Sequence, residues 1–180
     1  MESHSKSGTR IVDKQRVEVL GFDGHYQPDS DTETETIKVN DSTTRTVVRT
    51  YRWDGNGRRQ LLQMTEEDAR TTGGGDKQVT RTTSNADVNG SLQVVQREVA
   101  DISKSSPDTQ ETKTTLYQAD GNGGIIKLRQ SDEGEKRNAD HSVGVQKTME
   151  VPEGNGGWHT VRVRKQTIRG EGKTTTTGEG

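Results

Sequence analysis

The chain has no cysteine, three prolines and one phenylalanine in 180 residues, and aromatic residues of all kinds make up 3% of it. Each shortage removes a class of explanation. Without cysteine there is no disulfide framework, no thiolate metal site and no thiol nucleophile. No apolar run approaches the roughly 20 residues of a membrane-spanning helix, and the opening "MESHSKSGTR" lacks the basic and then apolar stretch of a secretory signal. No membrane span is therefore expected. Net charge is also lacking, at −2 from 26 basic and 28 acidic residues interspersed along the chain. Nucleic acid, which needs a concentrated basic patch, is not an expected partner. Finally, hydrophobic residues reach 23% and the 21 glycines bring the total to about 35%, where ordinary globular domains reach roughly 45–50% on the same count. Any core must be thin.

What the chain does have is a repeat. "DGNG" stands at 54–57 and 120–123, "DVNG" at 87–90, "EGNG" at 153–156 and "GFDG" at 21–24, so that the positions Gly21, Asp54, Asp87, Asp120 and Glu153 are spaced by 33 residues. Five tandem repeats start at 15, 48, 81, 114 and 147. The expected organisation is an N-terminal segment with the start of the first strand at 1–14, five repeats over 15–169 and a polar Gly/Thr tail over 170–180.

Each repeat reads as a long β-hairpin. Segments before the turn are rich in Thr, Val and Tyr, as in "TRTVVRTYRW" at 44–53, and segments after it carry partly alternating β-branched residues, as in "SLQVVQREVADI" at 91–102. A helix is the rival over "RRQLLQMTEEDAR" at 58–70, but its counterparts "GIIKLRQS" and "GWHTVRVRKQTI" are poor helices, and repeats share a fold. Asn-Gly between two strand-like runs signals a hairpin turn of type I′, in which both central residues take φ > 0. That assigns structural turn roles to Asp54, Asn56 and Gly57, to Asp87, Asn89 and Gly90, to Asp120, Asn122 and Gly123, to Asn155 and Gly156, and to Asp23 and Gly24. Looser connections at "TTGGGD" (71–76), "KSSPD" (104–108) and "RNAD" (137–140) close the other ends. The expected fold is all-β, an antiparallel meander of about ten strands forming an open sheet or a coiled, barrel-like one. Its candidate core is Val17, Val19, Tyr51, Trp53, Leu62, Met64, Leu92, Val94, Leu116, Tyr117, Ile126, Leu128, Met149, Trp158, Val161 and Val163.

"YRWDGNGRRQL" at 51–61 and "YQADGNGGII" at 117–126 resemble the YD repeats of Rhs-type bacterial surface and toxin-shell proteins, built on Tyr, Asp, a Gly-containing turn and an apolar residue. The resemblance covers about ten residues per repeat. The repeat here is longer than the family's, and Tyr gives way to Ser84 and Glu150 in two repeats. It implies an extracellular or cell-surface β-repeat protein rather than an enzyme.

The residues offer little chemistry beyond this. Asp54 with Asn56, or Asp120 with Asn122, supplies the first half of a calcium loop, but the later carboxylates are missing. "GEGKT" at 170–174 resembles the end of a phosphate-binding loop, yet the required glycine is Thr167 and "TTTTGEG" follows instead of a helix. His4, His25, His141 and His159 fall in different repeat columns. No catalytic, cofactor-binding or metal residues are assigned, and no cofactor is expected. The sequons at Asn40 and Asn89 would permit glycan modification of a secreted chain. An open meander exposes edge N–H and C=O groups, so the expectation is a structural subunit of an extracellular fibre or surface assembly. Its strand at 9–20 would receive the strand at 158–168 of another copy, giving a homopolymer. A carbohydrate- or protein-binding surface module and a fragment of a toxin-associated shell are the alternatives.

Overall fold

A computed structural model describes residues 2–7, 9–154, 156–169 and 174–179. All regular structure among them is β. The first six strands are β1 (Glu2–Ser7), β2 (Arg10–Leu20), β3 (Tyr26–Asn40), β4 (Thr43–Trp53), β5 (Arg59–Thr71) and β6 (Lys77–Ala86). They are followed by β7 (Leu92–Ser106), β8 (Thr109–Ala119), β9 (Ile125–Arg137), β10 (Val143–Pro152), β11 (Trp158–Ile168) and β12 (Thr174–Glu179). Hydrogen-bonded neighbours run in chain order from β1 to β12, giving the antiparallel meander. From Arg59 onward the segment with helical propensity at 58–70 lies in β5, because β4 offers its backbone a pairing partner along its length apart from the bulge at Leu62.

The described residues form twelve strands rather than about ten. The 1–14 segment supplies β1 as well as the start of β2, and the polar tail supplies β12 from Thr174 onward. The strands at 9–20 and 158–168 are consequently not outermost. β1 pairs Glu2–Ser7 with Arg10–Gln15, and β12 pairs with Val163–Ile168. Polar, Thr-rich segments can serve as outer strands because these require main-chain pairing on one side only, not a buried face. The "GEGKT" match begins at 170–173, which lie outside the described residues.

Strand lengths alternate. β3 to β6 have 15, 11, 13 and 10 residues, and β7 to β10 repeat the same four values. The chain forms two compact units, one of Met1–Arg70 with Thr80–Arg97 and one of Thr71–Val79 with Glu98–Gly180.

The expected core is mostly absent. Val47 and Leu116 are the buried hydrophobic residues among those described, and only Leu116 stood among the candidates. Val17, Val19, Leu62, Val94, Ile126, Leu128 and Val161 are exposed. The extensive contacts within each unit run between sheet neighbours, so a side chain is covered chiefly by others on its own face of the sheet. Bulges add to this exposure. The registers shift at Val17/Glu18, Thr50/Tyr51, Leu116/Tyr117 and Met149/Glu150, so that Asp29, Leu62, Leu128 and Val161 are skipped in those strand pairs. An extra residue in one strand bends it and re-aims the side chains around it. Three apolar residues expected inside therefore sit at bulges instead.

Candidate functional site

Asp54 N–H donates to Arg58 O at 2.9 Å and Gly57 N–H donates to Asp54 O at 2.9 Å. The same pair of bonds joins Asp87 with Ser91 and Gly90, Glu153 with Gly157 and Gly156, and Gly21 with His25 and Gly24. Gly24, Gly57, Gly90 and Gly156 have φ between 72° and 85°, whereas the one described non-glycine residue with positive φ is His141. Asn56 and Asn89 are thus not in the left-handed region, which corrects the type I′ expectation. These are type I turns followed by a left-handed glycine that forms a bulge. The reason is the loop length, because the closing pair lies outside a three-residue loop. Asn155 lies outside the described residues.

The aspartate side chain is spent on its own turn. Asp54 Oδ1 accepts from Asn56 N and Arg58 N, both at 2.9 Å. Asp87 Oδ1 accepts from Asn89 N and Ser91 N, and Asp120 Oδ1 from Asn122 N and Gly124 N. In the first repeat Asp23 Oδ1 accepts from His25 N. No group of acidic and histidine side chains among the described residues could hold a metal ion. His159 Nδ1 stands 3.8 Å from Glu153 Oε1, and His141 sits in the turn Asn138–Ser142 at φ 63°, donating its N–H to Asn138 O. At the two sequons, Asn40 Oδ1 accepts from Ser42 N and Oγ, and Asn89 is a turn residue.

The constellation that sequence reasoning missed lies in the first unit. On β3, Asp31, Glu33 and Glu35 share one face, opposite Arg16, Lys14 and Val12 of β2 and Tyr51, Arg49 and Val47 of β4. Arg16 grips Asp31 with Nε at 2.8 Å and Nη2 at 3.4 Å. From β5, Arg59 reaches Asp31 at 3.0 Å and Glu33 at 2.8 Å, and Lys14 reaches Glu33 at 3.1 Å. Glu35 is held by Arg10 and Arg49. Two rings complete the cluster, with the Arg16 guanidinium 5.2 Å from the Trp53 ring centre and that of Arg59 3.5 Å from Tyr51. Such contacts are worth about 0.5–1 kcal/mol at exposed sites. A hollow of about 360 Å³ opens here, lined in part by Lys14, Arg16, Asp31, Glu33, Trp53 and Arg59.

Electrostatically the cluster is closed on itself. Asp31 is 6% exposed, and the Arg16 hydrogen bond holds its carboxyl below the usual carboxylate range against the opposing effect of burial. The buried Trp53 Nε1–H helps hold the Asp31 anion without the alignment of a full hydrogen bond. Burial pushes Glu33 up, but Arg59 and Lys14 together outweigh it and leave it low. Arg49 lowers Glu35, and Arg16 is in turn raised by Asp31. These groups are ionised at neutral pH and their charges face each other, so the chemistry on offer is ion pairing and aromatic stacking. The signal in the sequence was alternation of charge by sign, with Arg10, Lys14 and Arg16 in one strand and Asp31, Glu33 and Glu35 in the next. Recognising it as a pair of matching rows requires the register.

No protein-family model, no curated protein and no solved structure matches the chain.

Proposed function

We propose that the chain is a structural β-sheet module that associates with further copies by strand addition at its outer strands, in an extracellular or cell-surface setting. The observation that carries this reading is the strand order, in which β1 and β12 stand outermost and each pairs with one neighbour among the described residues. Unpaired N–H and C=O groups on an outer strand are templates for another chain. A second copy adding its β12 beside β1 continues the alternation of strand direction. The low apolar content supports the same reading, since cross-strand pairs worth roughly 0.2–1 kcal/mol each accumulate with every strand added.

Sedimentation over rising protein concentration, with electron microscopy of the same samples, tests the proposal. Larger species and filaments without added ligand are expected; a monodisperse monomer at the highest attainable concentration refutes it. A binding-module reading has one observation on its side, the hollow beside Trp53 with its arginine and carboxylate lining. Perturbation of Trp53 fluorescence by an oligosaccharide, at concentrations where the chain stays monomeric, would favour that reading instead.

A further inference from the structure

The chain carries several copies of one reactive dipeptide, and the structure does not treat them alike. We propose that Asn122 is the preferred site of spontaneous deamidation, selected by a hydrogen bond that its turn lacks and the equivalent turns possess.

The exposed pairs Asn56–Gly57, Asn89–Gly90 and Asn122–Gly123 have the same reacting atoms. The glycine nitrogen attacks Cγ of the preceding asparagine, forming an N–Cγ bond while the Cγ–NH₂ bond breaks. The displaced amide nitrogen leaves as ammonia, taking up the proton that the glycine nitrogen gives up. The resulting five-membered imide then adds water and opens to aspartate or isoaspartate. Water is the only co-reactant, and nothing is oxidised or reduced. The attack requires the glycine N–H to lose its proton and the nitrogen to turn towards Cγ. Side-chain bulk after asparagine slows this step, and glycine removes that obstacle equally at all three places.

Backbone hydrogen bonding is where they part. Gly57 N–H donates to Asp54 O and Gly90 N–H to Asp87 O, each at 2.9 Å, which ties up the proton and fixes the direction of the nitrogen. In the third turn the closing bond from Asp120 N to Gly124 O is present at 3.1 Å, but no bond joins Gly123 N–H to Asp120 O. The cause is visible one residue earlier. Gly121 has φ 82°, whereas Gly55 and Val88 at the same place are not in the left-handed region. The altered turn also crowds its end, since a Cβ on Gly124 would come within 2.6 Å of Asp120 Oδ2, although Arg58 and Ser91 carry side chains at that place. The asparagine N–H to aspartate Oδ1 bond is common to all three and cannot account for a difference.

Deamidation here places a second carboxylate two residues from Asp120, and the isoaspartate product adds a backbone atom between β8 and β9. Both loosen that hairpin.

The test is a time course of the intact protein in mildly alkaline buffer, with each site followed by peptide-resolved mass spectrometry and isoaspartate-specific methylation. Asn122 is expected to convert about five-fold faster than Asn56 and Asn89, the rate equivalent of one ordinary backbone hydrogen bond. Equal rates, or a slower Asn122, overturn the proposal. In urea the three rates should converge; a preference that persists there belongs to the neighbouring residues and also overturns it. Gly121→Val gives this turn the residues of 87–90, and in a variant with unchanged circular dichroism it should slow Asn122 to the Asn89 rate. An unchanged Asn122 rate in that variant refutes the hydrogen-bond explanation.

Discussion

The two units are built from the same kind of hairpin but are held together differently. In the first, three adjacent strands contribute matched rows of charge, and Arg16, Asp31, Glu33 and Arg59 join with Trp53 and Tyr51 in one connected cluster. In the second, the described interactions are scattered. Lys147 pairs with Glu133 at 2.8 Å, Gln78 bonds Asp101 at 2.7 Å, and Lys127 lies 5.7 Å from the Trp158 ring centre. The difference is also one of protonation. Among the described residues, Asp31, Glu33, Glu35 and Asp68 are held below their ordinary range in the first unit, the last chiefly by the Arg45 hydrogen bond, whereas in the second Asp140 alone is so held, chiefly by Ser142. A single isolated surface pair contributes about 0–1 kcal/mol, but shared partners restrict one another's side chains and let the small terms reinforce. Where little apolar surface is buried, this connectivity takes over part of the role of a core.

Acid should expose the contrast most strongly. A carboxylate with a lowered native pKa contributes stability that is fully present above its unfolded value near pH 4 and is lost as pH falls through the native one. With four such groups against one, the first unit should open at higher pH than the second. Trp53 and Trp158 report on the two units separately, so single-tryptophan variants followed by fluorescence during acid titration provide the measurement. Coincident transitions, or Trp158 responding first, would break the comparison.

Asp31→Ala is the next largest effect. It leaves Arg16 and Arg59 facing each other without their shared anion, and should cost about 1–2 kcal/mol by urea denaturation. The matching change in the second unit, Lys147→Ala, should cost no more than about 0.5 kcal/mol, since that pair is part exposed and unshared. Equal losses in the two variants would show that connection adds nothing.

The turns provide a smaller and opposite test. His141 occupies with φ 63° the kind of position that glycine fills at Gly57 and Gly90. A left-handed L-residue costs about 1–2 kcal/mol, offset in part by the greater freedom glycine has when unfolded. His141→Gly should therefore stabilise the second unit by up to about 1 kcal/mol in thermal or urea unfolding. A loss of stability would mean that the His141 side chain contributes more than its backbone costs.

Much of this was legible in the residues. Asn-Gly pairs, β-branched runs and the rejection of a helix over 58–70 led to hairpins in a meander, and that is what the chain adopts. The errors have a common origin. Apolar residues such as Leu62, Leu128 and Val161 were expected inside because alternation was counted straight through places where the strand carries an extra residue. The turn type was read from Asn-Gly alone, although an aspartate two residues earlier and a three-residue loop favour the type I geometry.

By itself, then, the sequence determined where the chain extends and where it reverses, because strand propensity and the conformational freedom of glycine act over a few residues. Only the tertiary structure decided which residues meet. A one-residue shift of register moves every side chain to the opposite face, so the pairing registers of β2 to β5, and not the pattern of charges alone, bring Arg16 and Arg59 to Asp31 near Trp53. The same holds for the ends, where segments of ordinary polar composition became β1 and β12 because a neighbouring strand was there to pair with.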